Sequence, residues 1–271
     1  MSPTPTTGLL AGRRILITGV VTTDSIAFAT ARAALDAGAE IVLSGLPRDL
    51  DRTGEAAEEL PGAIAVVGAD LTVPADVEAL RGDLAERWGR LDGALHAVAF
   101  APRGALAGDL LATEFDDVSR AMDASTYSYA ALARVLRDLA PETGGSLVGL
   151  DFDAAGAWPV YNWMGVCKAG LEAVSRYVAR DLGPRRIRSN LVAAGPLHTR
   201  AAGGIADFEA LTDAWAAGSP IAWDDKDSAP VADAVVFLLS DLARMITGEI
   251  LHVDGGYHAM AAPPHRGPTA T

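Results

Sequence analysis

The chain has 271 residues, half of them hydrophobic and 21% charged, with a mean hydropathy of +0.21. That composition supplies a sizeable core and excludes the disordered and collagen-like classes. Its 22 basic residues against 35 acidic ones leave a net charge of −13, which argues against a nucleic-acid partner.

Residues 13–19 read as a short apolar strand ending at Gly19, and 25–37 as a helix stopped by Gly38. The pattern then repeats, with a strand at 40–45, a helix at 49–60 and a strand at 63–70. A helix at 74–88 with proline in its first turn leads to a strand at 91–100. Helices at 114–122 and 125–139 precede a strand at 146–152, and a long helix is expected over 159–182. A strand at 189–195, a loop and helix at 200–217, a helix at 231–240 and a strand at 249–254 complete the chain. Seven near-continuous apolar strands alternating with helices predict α/β architecture, a doubly wound parallel sheet covered on both faces. The expected layout is one domain over 8–260, with flexible tails at 1–7 and 261–271.

No apolar run reaches the roughly 18 residues a membrane helix needs, so no membrane partner is expected. The Pro/Thr-rich start lacks the basic-then-apolar layout of a signal peptide. One cysteine, Cys167, cannot close an internal disulfide and fits a cytoplasmic protein. The five histidines show no metal-ligand spacing, so no metal is expected.

Doubly wound sheets bind ligands beyond the carboxyl ends of their strands. The first such turn runs from Thr18 to Ala27 and lacks GxGxxG, keeping only Gly19. Gly19 permits a tight turn, Ser25 brings a hydroxyl and the helix start offers amides to a pyrophosphate; an ordinary capped turn explains the same residues. Past the second strand there is no acidic residue to hold a ribose 2′-hydroxyl, and Arg48 suits either a 2′-phosphate or the protein surface. Asp70 can meet an adenine amino group or cap the turn before Pro74. Asp151 and Asp153 read as strand-end caps, and Cys167 as a small buried helix residue.

The basic residues include only two lysines, Lys168 and Lys226, in a chain that otherwise uses arginine. Lys226 lies among Asp224, Asp225 and Asp227 as a local counter-charge, whereas Lys168 follows Tyr161 by seven residues. At about 100° per residue the two share a helix face, two turns apart. An ammonium there favours ionisation of the phenol and can grip ribose hydroxyls, and the phenol can donate to an oxygen gaining charge. Arginine, a wide fork, replaces such a point donor poorly. A chance pair on an ordinary helix is the competing explanation.

Taken together these residues resemble the short-chain dehydrogenase/reductase superfamily, and within it the enoyl-(acyl-carrier-protein) reductases of bacterial fatty-acid synthesis, in their mycobacterial, isoniazid-target form. The likeness runs from Gly8 to Gly256. It is carried by Gly19 with Ser25-Ile26-Ala27-Phe28, by Asp151-Phe152-Asp153, by Tyr161-Asn162-Trp163-Met164 with Lys168, and by Arg188 to Pro196. Carbonyl-reducing relatives have a three-residue gap between tyrosine and lysine and a serine ending the preceding strand; here the gap is six and the serine is missing.

The resemblance implies a Rossmann-like fold and NADH, in preference to NADPH, lying across the strand ends. Gly19, Val20, Ser25 and Ile26 take its pyrophosphate side, and Leu46, Asp70 and Leu71 its adenosine. Val98 and Ala99 take a ribose, and Lys168, Gly195, Pro196, Leu197 and Thr199 the nicotinamide end. Tyr161, Lys168 and Phe152 are the implied catalytic residues, and Phe100, Leu106, Trp158, Tyr161 and Ala202 face the substrate. The implied substrate is an enoyl thioester of acyl carrier protein or CoA, and the implied assembly a homotetramer. Leu46 stands where the family stacks an aromatic on adenine. Residues 199–223 form a shorter segment than in the mycobacterial relatives, and Trp158 is bulkier than its counterpart there. Those departures leave room for a dedicated enoyl reductase of a polyketide or other secondary pathway, with a silent dinucleotide sensor as the third alternative.

Overall fold

The computed structural model describes residues 8–261 apart from 201 and 206, so the expected tails 1–7 and 261–271, Ala261 apart, lie outside the described residues. Seven strands form one parallel sheet: β1 (Arg14–Thr18), β2 (Glu40–Gly45), β3 (Ala65–Gly68), β4 (Gly93–His96), β5 (Gly145–Asp151), β6 (Ile187–Ala194) and β7 (Ile250–Val253). Their spatial order is β3-β2-β1-β4-β5-β6-β7, every neighbouring pair parallel. This is the doubly wound α/β fold expected from the alternating pattern.

Because consecutive strand side chains point to opposite faces, the strands feed two cores. Ile15 and Ile17 of β1 join one cluster while Leu16 between them joins the other, and β2 repeats this with Ile41, Leu43 and Val42. The helices α1 (Ile26–Asp36), α2 (Leu50–Glu58) and α9 (Ala229–Leu239) cover the first face. On the second lie α3 (Pro74–Trp88), α6 (Ser128–Leu139) and α7 (Asn162–Leu182). The expected 114–122 helix is α5 (Phe115–Met122), which runs through a π turn at Asp123–Tyr127 into α6. Among the short helices that escaped the sequence pattern are α4 (Arg103–Leu106) and a 3-10 turn at Leu110–Ala112. The 200–217 stretch holds α8 (Phe208–Gly218).

Two differences from expectation shape the functional region. The strand expected over 91–100 pairs only over Gly93–His96, after which the chain turns away above Gly19. The helix expected from 159 begins at Asn162, since Val160 has a φ of 55° and breaks the helical path; Tyr161 therefore sits at the helix cap.

Candidate active site

The sheet order reverses between β1 and β4, the place where such folds open a crevice beyond their strand ends. Thr18 ties the two strands there: its hydroxyl donates to the Leu95 carbonyl at 2.9 Å and accepts from the Ala97 amide at 3.2 Å. Gly19 then turns the chain at a φ of 80°, its amide donating to the Ser44 carbonyl at 3.0 Å. Ser25 caps α1, accepting from the Phe28 amide at 3.1 Å and donating to the Thr22 carbonyl at 2.9 Å. Its hydroxyl is thus engaged. What α1 offers a ligand is the unpaired amides and positive end of its first turn, beginning at Ile26.

The other residues expected to hold a dinucleotide follow the ends of β2, β3, β4 and β6: Leu46, Asp70 and Leu71, Val98 and Ala99, then Gly195 to Leu197 and Thr199. The topology therefore gathers them along one edge of the sheet. Val20, Leu71 and Leu197 are buried in the cores. Asp70 forms a turn with Thr72, accepting from its amide at 2.9 Å and its hydroxyl at 2.7 Å through Oδ1. These bonds are the turn cap expected as one of its two sequence readings. Thr199 likewise receives the Ala202 amide, and the Pro196 carbonyl accepts from the Trp223 indole at 2.8 Å.

Tyr161 is 8% exposed, and its hydroxyl has no hydrogen-bond partner among the described residues. Lys168 lies one and a half turns into α7, buried, with Nζ donating to the Leu150 carbonyl at 2.8 Å. The expectation that this lysine promotes ionisation of the phenol is corrected by the structure. Burial pushes the Tyr161 phenol above its ordinary value, and the Asp151 carboxylate pushes it further. Tyr161 is a neutral hydroxyl, hence a donor. Burial lowers the Lys168 ammonium, and Asp151 opposes that fall.

Phe152 packs its ring 5.1 Å from that of Tyr161 and 5.3 Å from Trp158. Trp158 in turn lies 5.0 Å from Trp215, which stacks on Tyr257 at 4.0 Å. Trp215 and Tyr257 escaped the sequence reading, since their place in this aromatic wall depends on contacts across the fold. Leu106 shares a cluster with Tyr161 and Met164, and Ala202 one with Phe208 and Leu211; Trp158 and Ile205 border both. Phe100 is half exposed, its backbone held reciprocally by the Ser125 hydroxyl of the π turn, at 2.9 Å each way. Sequence also misjudged Asp151, which caps nothing: neither carboxylate oxygen has a hydrogen-bond partner among the described residues. Asp153 does cap, accepting from the Ala155 amide at 3.0 Å. Cys167 is the buried helix residue expected, its thiol against the Met122 sulfur.

A free phenol donor, an ammonium with spare N–H groups and a helix N-terminus at a switch point together fit a dinucleotide and a carbonyl substrate. A family model described as enoyl-(acyl carrier protein) reductase matches residues 19–258. Enoyl-(acyl-carrier-protein) reductase (NADH) of Mycolicibacterium smegmatis is 39% identical over 264 residues, covering 92% of this chain and 97% of that one. A reductase of the same name from Rhizobium meliloti is 40% identical over 266 residues, covering 93% of each chain. The Aquifex aeolicus protein so named is 39% identical over 259 residues, covering 93% of this chain and 94% of its own. The chain belongs to the enoyl-(acyl carrier protein) reductase family.

Proposed function

We propose that this protein reduces the 2,3-double bond of trans-2-enoyl thioesters with NADH, as a step of fatty-acid elongation. One observation carries the reading: Tyr161, a buried neutral phenol without a partner among the described residues, caps the helix after β5 that carries the buried Lys168. When bound, NADH supplies the hydride delivered to the β-carbon of the substrate. Tyr161 donates its hydroxyl hydrogen bond to the thioester carbonyl oxygen, which gains negative charge as the enolate forms. Lys168 grips the nicotinamide ribose with the N–H groups that Leu150 leaves free. Phe152, against the Tyr161 ring, confines the space in which the transfer takes place.

Further along the crevice Gly19, Val20, Ser25 and Ile26 border the pyrophosphate, and Leu46, Asp70 and Leu71 the adenosine. Val98 and Ala99 follow at the ribose, then Gly195, Pro196, Leu197 and Thr199 at the nicotinamide. Phe100, Leu106, Trp158 and Ala202 border the acyl group. Acyl carrier protein or CoA carries it. The single cysteine supports a cytoplasmic setting. Residues 8–260 act as one domain, and a homotetramer is the assembly; exposed Phe115, Val166 and Tyr177 on α5 and α7 supply apolar surface for subunit contact.

The purified protein is expected to consume NADH with a trans-2-enoyl thioester and not with a 3-oxoacyl thioester. The reverse pattern, followed by absorbance, overturns the assignment. A second reading, a dedicated reductase of a secondary pathway, is favoured by the rings of Trp158 and Trp215, which occupy space beside Phe152. Turnover restricted to compact acyl groups marks that case.

A further inference from the structure

The carboxylate of Asp151 is an anomaly in this fold. It closes β5, its side chain is 0% exposed, and both oxygens lack hydrogen-bond partners among the described residues. Such a group is strongly disfavoured in an apolar interior unless a cation accompanies it. One does: Lys168 Nζ lies 3.9 Å from Asp151 Oδ1.

That distance is too long for a hydrogen bond, so the link is one of charge. Lys168 has three N–H donors, of which Leu150 takes one and Asp151 none. The carboxylate thus holds the ammonium ionised while leaving two donors for a ligand diol. No other group in the surroundings replaces it. His96 on β4 is fully buried, bonded to the Ser128 hydroxyl at 2.8 Å, with Nδ1 unpartnered. Burial and then the Lys168 charge push its imidazole down to about 3, so it is neutral. Tyr129 on α6 and Tyr161 are phenols held protonated by burial, and burial likewise raises the Cys167 thiol on α7. Glu172 on α7 and Asp153 beyond β5 are acidic and favour a proton on Asp151.

We propose that Asp151 is a positioning residue acting through Lys168, its buried negative charge keeping the ammonium ionised and aimed at the nicotinamide ribose. This rests on the ribose role given to Lys168 above. An asparagine fills the same space without the charge, so Asp151→Asn isolates the electrostatic part.

The test is the dissociation constant of NADH, from fluorescence titration across pH, for the wild type, Asp151→Asn, Lys168→Met and the double variant. Asp151→Asn is expected to weaken binding about tenfold at mildly alkaline pH, where the wild-type carboxylate is ionised. It also moves the alkaline loss of affinity to lower pH, because Lys168 gives up its proton more readily without its counter-charge. The gap between wild type and variant narrows at acidic pH, since burial pushes Asp151 itself up to about 7. In the Lys168→Met background the same substitution changes nothing. Wild-type affinity and the same alkaline limit in Asp151→Asn overturn the proposal, as does an equal loss in the Lys168→Met background. Lys168→Met separates the two claims: if it binds NADH normally, the ribose role falls and the proposal with it. If it loses affinity while Asp151→Asn does not, only the proposal falls.

Should Asp151→Asn fail to fold, Lys168→Met still decides the pairing. It leaves the carboxylate buried without its cation, raising the folded-state value of Asp151 further above the unfolded one. Stability is then present at low pH and lost as pH rises through that higher folded value. Its melting temperature must fall more steeply with pH than that of the wild type; parallel courses overturn the pairing.

Discussion

Removing a single oxygen from Tyr161, as Tyr161→Phe, is expected to lower turnover of an enoyl thioester roughly a hundredfold, in the range of one lost oxyanion donor. The phenol is 8% exposed and its ring is held by Phe152 at 5.1 Å, so phenylalanine keeps the packing. The hydroxyl gives up no protein hydrogen bond when it goes. Stability is therefore expected to change little, and NADH affinity to remain near that of the wild type, because Lys168 is untouched. The decisive comparison is kcat against the NADH dissociation constant in the same preparation. Wild-type turnover in Tyr161→Phe contradicts the role of the phenol, and joint loss of affinity and turnover points to a collapsed site.

Gly19→Ala is expected to be the most damaging one-methyl change at the crevice, costing about 3 kcal/mol of stability. Two effects add. At a φ of 80° any side chain is strained, and an added Cβ lies 2.0 Å from the Ala97 carbonyl oxygen, a backbone atom that cannot step aside. That oxygen belongs to the chain leaving β4, so relief requires the β1–β4 seam to open where the cofactor is proposed to lie. Gly62 is the internal control: its φ is 90° but nothing lies within 4 Å of an added Cβ. Gly62→Ala should cost only the backbone part, about 1 kcal/mol. Urea unfolding of both variants measures the difference. Equal midpoints contradict the clash, and the account of the seam with it.

Much of this architecture was legible because its signals are local. Each buried parallel strand is a short apolar run, and α3 announces itself with Pro74 at its start and Gly89 at its left-handed end. The Lys168 signal was compositional: in a chain that spends arginine freely, a lysine seven residues after a tyrosine stands out. Where the reading missed, the determining contact lies far away in sequence or in a backbone angle. Residues 97–100 are apolar enough to extend β4, yet pairing stops at His96 and they leave the sheet. Val160 looks like any residue before a helix, but its positive φ places Tyr161 at the cap.

The distinction between Asp151 and Asp153 is of the same kind. Both are acidic residues near a strand end; only the fold buries one against Lys168 and leaves the other to cap a turn. Lys226 runs the opposite way. Among the described residues no ion pair involves it, and the neighbouring Asp225 pairs with His198 at 3.2 Å. Arg188 is carried inward by β6, where its guanidinium donates to the Leu238 and Ser240 carbonyls.

The most direct test of the central claim follows the hydrogen. The protein is supplied with NADH deuterated at its transferable position and a trans-2-enoyl thioester, and the product is examined by mass spectrometry and NMR. The account predicts a saturated thioester with deuterium on the β-carbon and a solvent-derived hydrogen on the α-carbon, with Tyr161 bonded to the carbonyl oxygen between them. Deuterium at the former carbonyl carbon, or a product without label, contradicts it.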